Sequence, residues 1–278
     1  MQPTQEPSTT PTSLPATPMG RRSAASGTQV QADLWAVVQA GRWFHSLPFA
    51  FSDQLRLLAK PRQLAAGEWL FRRGDSPCGL YAVARGALSI SGTAALGEQT
   101  RTALLTLVEA PMWLGEIALF DGAARTHDAY ASTACTLLHV PQLPLLSWLD
   151  AHPVYWRHLA LLMTDKLRAS LIALEEQTLL PAPQRLAHRL VQMAQGYDQW
   201  EDSQRTRREL AVSQEQLARM LGLSRQTTNQ ILQELQLAGF IQLRRSKLEV
   251  LNLAALKAAA SNGLNGLAVT AAAAATGQ

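Results

Sequence analysis

From about Pro61 onward, short apolar runs are broken by turn residues. Trp69-Leu70-Phe71, Leu80–Val83, Leu88–Ile90, Thr102–Val108 and Thr136–Val140 are separated by Gly74-Asp75-Ser76-Pro77, Gly86 and similar breaks. Such spacing predicts short strands in a small β-sandwich or barrel. Upstream, Leu34–Phe44 predicts a short helix with Leu34, Val37, Val38 and Trp43 as its apolar residues, and Ser52 is expected to open another around Leu55, Leu57 and Leu58. Downstream, Pro144–Leu149 predicts a short helix. A long helix follows from about Pro153 to Leu180, stopped by Pro181 and Pro183. Along it Trp156, Ala160, Met163, Leu167, Ser170, Leu174 and Gln177 recur at alternating steps of four and three, a coiled-coil seam. The seam could pack within its own domain. A helix this long exceeds what one small domain needs, so a homodimer is the expectation, with Ser170 and Gln177 as polar interruptions.

The pattern changes again after Pro181. Gln184–Gln195 predicts a helix and 198–209 is polar. Ser213–Gly239 then predicts two short helices. Ser213 and Gln216 have the spacing of a capping box, and Leu217, Met220 and Leu221 give one apolar face. Gly222 supplies the turn. Ser224 caps the second helix, whose buried side is Ile231, Leu232 and Leu235, with Arg225, Gln226, Asn229 and Gln230 facing outward. Arg suits guanine edges, and Gln or Asn suits adenine. The pair fits a DNA-binding helix-turn-helix, although an ordinary helical hairpin has the same outline. Ile241, Leu243, Leu248 and Val250 alternate across Arg244-Arg245-Ser246-Lys247, a hairpin with a basic tip that reads as a wing. Between Pro181 and Leu253 there are ten Lys/Arg against seven Asp/Glu, clustered at Arg205–Arg208 and the wing tip. Those clusters suit phosphates, or they are solvated loops.

Composition narrows the classes. A chain of 278 residues, 47% apolar and 17% charged, suits about two globular domains, and a net charge of +4 places any nucleic-acid surface locally. Cys78 and Cys135 are the two cysteines and lack CxxC spacing. That argues against a disulfide framework, a cysteine-rich zinc site and an iron–sulfur cluster, and suits a cytoplasmic protein. The histidines show no metal-ligand spacing such as HxxxH, so no metal is expected. No stretch reaches 18 uninterrupted apolar residues, and the Arg21-Arg22 pair lacks an apolar run after it, so neither a membrane segment nor an export signal is expected. Residues 1–30, rich in Pro, Thr, Ser and Gln, are expected to be disordered. Residues 256–278, rich in Ala, Gly and Asn, are expected to be a flexible tail. No GxGxxG or Walker loop is present, and nothing suggests an enzyme.

Gly115–Thr126 reads GEIALFDGAART. Glu116 can accept from a sugar hydroxyl, and Arg125 beside the Thr126 hydroxyl can clamp a cyclic phosphate. The same Glu and Arg could form a plain salt bridge.

GEIALFDG followed by Arg125-Thr126, then the long helix, then SQEQLARMLGLSRQTTNQIL, in this order, resembles the bacterial Crp–Fnr family of transcription regulators from about Leu47 to Leu253. The resemblance implies an α+β chain. Residues 31–150 would be a cyclic-nucleotide-binding β-roll (jelly roll), 151–180 a dimerisation helix, and 181–255 a winged helix-turn-helix. Glu116 matches the family's ribose-contacting Glu, Gly115 the glycine before it, Arg125 the phosphate-contacting Arg, and Thr126 a position often Ser. Ser170 and Leu171 stand where cyclic-AMP receptors carry Thr-Ser against the adenine. His127 and Asp128 are departures too, and Asp128 brings an anion near a phosphate position or orients Arg125 or His127. On the reader, the family's Arg-Glu-x-x-x-Arg becomes Arg225-Gln226-x-x-Asn229-Gln230, implying a different DNA site.

The expectation is therefore a homodimeric, sequence-specific regulator of transcription. Cyclic AMP or cyclic GMP is the candidate effector, held by Gly115, Glu116, Arg125, Thr126 and Ser170. Double-stranded DNA is the partner, met by Ser224, Arg225, Gln226, Thr228, Asn229 and Gln230, and RNA polymerase is a further candidate. The alternatives are a family member under redox, other-ligand or no control, and a nucleotide-sensing subunit of an enzyme.

Overall fold

The computed structural model of the chain describes residues 32–96, 99–200, 202, 206, 208–245 and 247–263. The expected disordered segment 1–30 lies outside the described residues.

Two four-stranded antiparallel sheets form the first half. One runs in the order β1 (Lys60–Leu64), β8 (Cys135–Pro141), β3 (Gly79–Arg85), β6 (Trp113–Leu114). The other runs β2 (Trp69–Phe71), β7 (Asp128–Ala131), β4 (Ala87–Leu96), β5 (Gln99–Glu109). Side chains alternate across a strand, and both faces of β3 and β8 are covered. Tyr81, Val83 and Leu137 point into the core between the sheets. Leu80, Ala82, Leu138 and Val140 point into a second core under the helices. That double burial explains why these strands read as near-continuous apolar runs.

The helical layer begins with α1 (32–39). It breaks at Gly41 before α2 (Arg42–His45), so the single helix expected over Leu34–Phe44 is two. Gly41 forms an isolated antiparallel bridge with Trp200, and the Arg42 N–H donates to Gln199 O at 2.8 Å. Helix α3 (Phe49–Leu58) starts earlier than expected, after Pro48, and α4 (Ile117–Asp121) and α5 (Gln142–Ala151) complete this half. Phe51 stacks on Trp148 with centroids 5.6 Å apart, and Phe44 stacks on Trp113 at 5.7 Å.

After a 3-10 turn at Pro153–Tyr155, the long helix α6 runs Trp156–Leu179. Its first turns bury Leu159 and Leu162 in the core under the helices of the first half. Farther along, Leu167, Leu171, Ile172, Leu174 and Leu179 are each more than half exposed.

The second half is built on α7 (Ala182–Ala194), α8 (Gln214–Leu221), α9 (Arg225–Leu237) and the antiparallel sheet β10 (Ile241–Arg244), β11 (Lys247–Val250), β9 (Glu209–Leu210). β10 and β11 pair from Ile241↔Val250 to Arg244↔Lys247, which forms the hairpin of the wing. The expectation of a flexible tail from residue 256 is corrected here. Helix α10 (Leu253–Asn262), capped by Asn252, buries Leu256, Ala259 and Ala260 in the core shared with α7. The Ala-rich composition that suggested fraying is what lets a small-faced helix pack closely. Residues 264–278 lie outside the described residues. The same core takes Leu104 and Leu107 from β5, so the two halves share apolar side chains.

Candidate effector site and DNA interface

Two glycines shape the candidate effector site. Gly79 opens β3 at φ +132, where a Cβ would lie 2.1 Å from Val140 O. Gly115, after β6, has φ +102, and its Cβ would fall 2.5 Å from Gly79 O. Only a residue without a Cβ lets these chains approach so closely. Arg125 is drawn into the gap they leave. Its Nη2 donates to Gly79 O at 2.9 Å and to Cys78 Sγ at 3.4 Å, and Nη1 donates to Gly115 O at 3.3 Å. The guanidinium lies 4.5 Å from the Phe71 ring centroid, a cation–π contact. Arg125 is 6% exposed, and its Nε is buried without a partner. Among the described residues, its hydrogen bonds therefore go to neutral acceptors.

Glu116 is buried beside it, 3% exposed, and its carboxylate accepts from Lys166 Nζ of α6 at 2.6 Å. The Glu116–Arg125 salt bridge left open above is not what forms, since Glu116 pairs with Lys166 and Arg125 turns to backbone carbonyls. Thr126 is exposed, and its Oγ1 hydrogen-bonds His127 Nδ1 at 2.9 Å. Ser170 is exposed on α6, one turn beyond Lys166, and its hydroxyl donates to Lys166 O at 2.9 Å. The structure thus brings Gly115, Glu116 and Arg125 together and leaves Thr126 and Ser170 outside the buried cluster. Asp128 orients neither Arg125 nor His127 by a hydrogen bond. It accepts from the Arg73 N–H at 2.8 Å. Arg73, which sequence reasoning passed over, also donates to Thr126 O at 2.8 Å and Thr93 O at 3.0 Å.

Burial governs the titratable groups around the site. It lowers the His127 pKa, with the Arg73 charge adding to the effect and Asp128 opposing it. It also lowers the His139 pKa, against the bond between His139 Nε2 and Cys78 O at 2.9 Å. The Tyr81 phenol, stacked on His139 at 4.5 Å and touching Cys78 Sγ, is pushed well above its ordinary range, chiefly by burial.

In the candidate DNA interface, the expected capping box forms. Ser213 Oγ accepts from Gln216 N at 3.1 Å, and Gln216 Oε1 accepts from Ser213 N at 2.8 Å. Gly222 makes the turn at φ +65. Ser224 Oγ then accepts from Thr227 N at 3.0 Å and caps α9. Arg225, Gln226 and Gln230 are exposed, as is Thr227, which the sequence reading did not single out. Gln230 donates to Glu234 at 3.2 Å. Asn229 is half-buried, with its Oδ1 buried and unpartnered. Thr228 is a correction. It is fully buried and its hydroxyl donates to Ser224 O at 3.0 Å, because it lies on the stripe of Ile231, Leu232 and Leu235. Three cations near this surface have acidic neighbours: Arg225 with Glu215 at 2.7 Å, Arg244 with Glu249 at 3.1 Å, Lys247 with Glu209 at 3.0 Å. A cavity of about 340 Å³ separates α8 from the wing, lined by Ser213, Glu215, Arg244, Arg245 and Lys247 among others.

Comparison with known proteins agrees with this arrangement. The Crp-like helix-turn-helix domain family matches residues 184–259, and the cyclic nucleotide-binding domain family matches residues 61–152. A CRP-like cAMP-activated global transcriptional regulator of Mycobacterium tuberculosis is 28% identical over 194 residues, 70% of this chain and 83% of that protein. The chain belongs to the Crp–Fnr family of transcription regulators. It is a DNA-binding regulator with a cyclic nucleotide-binding domain, and control by an effector is this family's norm. The Cyclic AMP receptor protein of Thermus thermophilus is 27% identical over 215 residues, 77% of this chain and 94% of that protein. Among solved structures, FixK2 of Bradyrhizobium japonicum superposes with a TM-score of 0.62 at 17% identity, covering 72% of this chain and 96% of that one. The c-di-GMP responsive global regulator CLP of Xanthomonas campestris gives 0.57 at 21% identity, covering 73% and 99%. These two show a shared fold. Among the described residues, no helix is long and apolar enough to cross a membrane, and no cluster of His, Cys, Asp or Glu could hold a metal ion.

Proposed function

We propose that this Crp–Fnr regulator works as a homodimer whose affinity for operator DNA is set by a cyclic mononucleotide bound at Gly115, Glu116 and Arg125. The observation that carries the reading is a difference in charge compensation. Glu116 has Lys166 as counter-ion, whereas Arg125 is buried with neutral acceptors and a free Nε. A buried cation without a counter-charge favours an anion, and a cyclic phosphate supplies one with oxygens that a guanidinium fork can meet. A ribose hydroxyl donating to Glu116 would compete with Lys166 and so reach the long helix directly. Cyclic AMP is the first candidate, as the names of the mycobacterial and Thermus relatives suggest, and cyclic GMP is the second.

The open stripe of Leu167, Leu171 and Leu174 supports pairing of α6 with its copy. Two-fold symmetry then presents two α9 helices to half-sites about one DNA turn apart. Ser224, Arg225, Gln226, Asn229 and Gln230 would meet the major groove, Arg225 a base edge, and the wing cations phosphates. The reading assigns 31–150 to sensing, 151–180 to dimerisation and the remainder through α10 to DNA. It makes the chain a binding protein of the cytoplasm rather than an enzyme, with RNA polymerase as the further partner on DNA.

Isothermal calorimetry with cyclic AMP and cyclic GMP tests the effector. Heat and a thermal shift are expected, both needing about tenfold to 150-fold more nucleotide in Arg125→Ala. No heat and no shift at saturating nucleotide would remove the nucleotide and leave a regulator under other control.

A further inference from the structure

The contact between Arg225 and Glu215 joins the two helices of the reader. Nη2 of Arg225, at the first position of α9, donates to Oε1 of Glu215 in the first turn of α8 at 2.7 Å. The two side chains are 74% and 52% exposed. An exposed pair of this kind contributes little to folding, so its importance lies in what it does to the guanidinium. Arg carries five N–H donors in a rigid planar fork. A carboxylate that engages one Nη2 hydrogen leaves the other Nη2 hydrogen and its parallel neighbour, on Nε or Nη1, free and narrows the orientations the fork can sample. Reading guanine requires two parallel donors in the plane of the base, so a tethered fork is closer to the binding geometry than a free one. Glu215 also places a negative charge beside Arg225, on the face that would approach DNA. Where Arg225 meets no acceptor on a base, that charge repels without compensation.

The wing offers a contrast. Lys247 pairs with Glu209 and Arg244 with Glu249. On the reading above those cations would meet phosphates, which are the same in every sequence, so their carboxylates would weaken attraction uniformly.

We infer that Glu215 is a specificity-determining positioning residue of the DNA reader: its carboxylate holds Arg225 toward a base edge and penalises sequences that leave Arg225 unanswered. The inference rests on the reading above that Arg225 touches a base.

The test is selection from a random duplex library with the full chain at fixed salt, with and without cyclic AMP. Competition titrations of the selected duplex against a scrambled one follow. The unmodified chain should select a two-fold motif, and Arg225→Ala should erase the preference at one base pair of each half-site. A bidentate contact discriminates about 5–150-fold. Glu215→Gln should lower the preference at that same base pair by about fivefold or more while affinity for scrambled DNA rises. Glu209→Gln should strengthen selected and scrambled DNA by the same factor. If Glu215→Gln behaves like Glu209→Gln, with the base preference intact, the inference is overturned and the Arg225 reading stands. If Arg225→Ala weakens all sequences equally, or the unmodified chain selects no motif, both fall.

Discussion

Lys166, halfway along the long helix, donates at 2.6 Å to Glu116, whose side chain is 4% exposed. A carboxylate buried at the mouth of α4 is thus neutralised from an element fifty positions away. The sensor and the long helix are joined by a charge pair. Removing the cation leaves the carboxylate desolvated and alone, a destabilisation of about 1–3 kcal/mol. Urea unfolding of Lys166→Ala should show that loss, and Lys166→Arg should recover most of it. An unchanged midpoint for Lys166→Ala would mean the pair is not made in solution.

Arg125 is expected to be the main anchor for nucleotide. Hydrogen bonds to a charged group contribute about 1.5–3 kcal/mol, so Arg125→Ala should weaken binding by about tenfold to 150-fold. Arg125→Lys should fall between, because it keeps the charge and loses the fork. Calorimetry reads the affinity, with far-ultraviolet circular dichroism checking that each variant is folded.

A glutamate placed in the exposed stripe of α6 should oppose pairing of two chains. Leu167→Glu or Leu174→Glu is expected to weaken the dimer by about thirtyfold, as for a side chain central to an interface. Sedimentation velocity across a concentration series measures it. Glu175→Gln, on an exposed neighbouring position, should leave the distribution unchanged.

The pH response follows from His127 and His139, both shifted down by burial. Their folded-state values lie below the unfolded one of about 6.5. Between the two, the unfolded chain binds more protons, so stability rises with pH. The stabilisation is fully present above pH 6.5 and is lost as pH falls through the folded-state values. Thermal melts from pH 8 to 5.5 should show a falling Tm on the acid side, and His139→Gln should flatten that fall. A Tm that climbs toward pH 5.5 would contradict the sign.

Much of this arrangement was legible from the sequence, for identifiable reasons. The central strands stood out because β3 and β8 are apolar on both faces. The edge strands of the same sheet did not: β1 is Lys-Pro-Arg-Gln-Leu and β6 only Trp-Leu, and neither carries a run long enough to read. Caps at Ser213 and Ser224 were readable because capping is local. Thr228 was misassigned although its spacing to Ile231, Leu232 and Leu235 is that of a buried stripe, so the signal was present and outweighed by its place among polar neighbours. The partners of Glu116 and Arg125 were out of reach. Lys166 and Gly79 come close only through the packing of distant segments. Glu215 sat within the motif, but its pairing with Arg225 depends on the angle between two helices, which spacing does not encode.

Leu104 and Leu107 of β5 are buried with Leu186, Leu217 and Leu232 in one core, and Gly41 is bridged to Trp200. A strand of the sensor is therefore also a wall of the reader's interior. The two halves are then expected to unfold together. Calorimetric unfolding would be a single cooperative event, and a reader separated from the sensor would expose the apolar surface that β5 now covers.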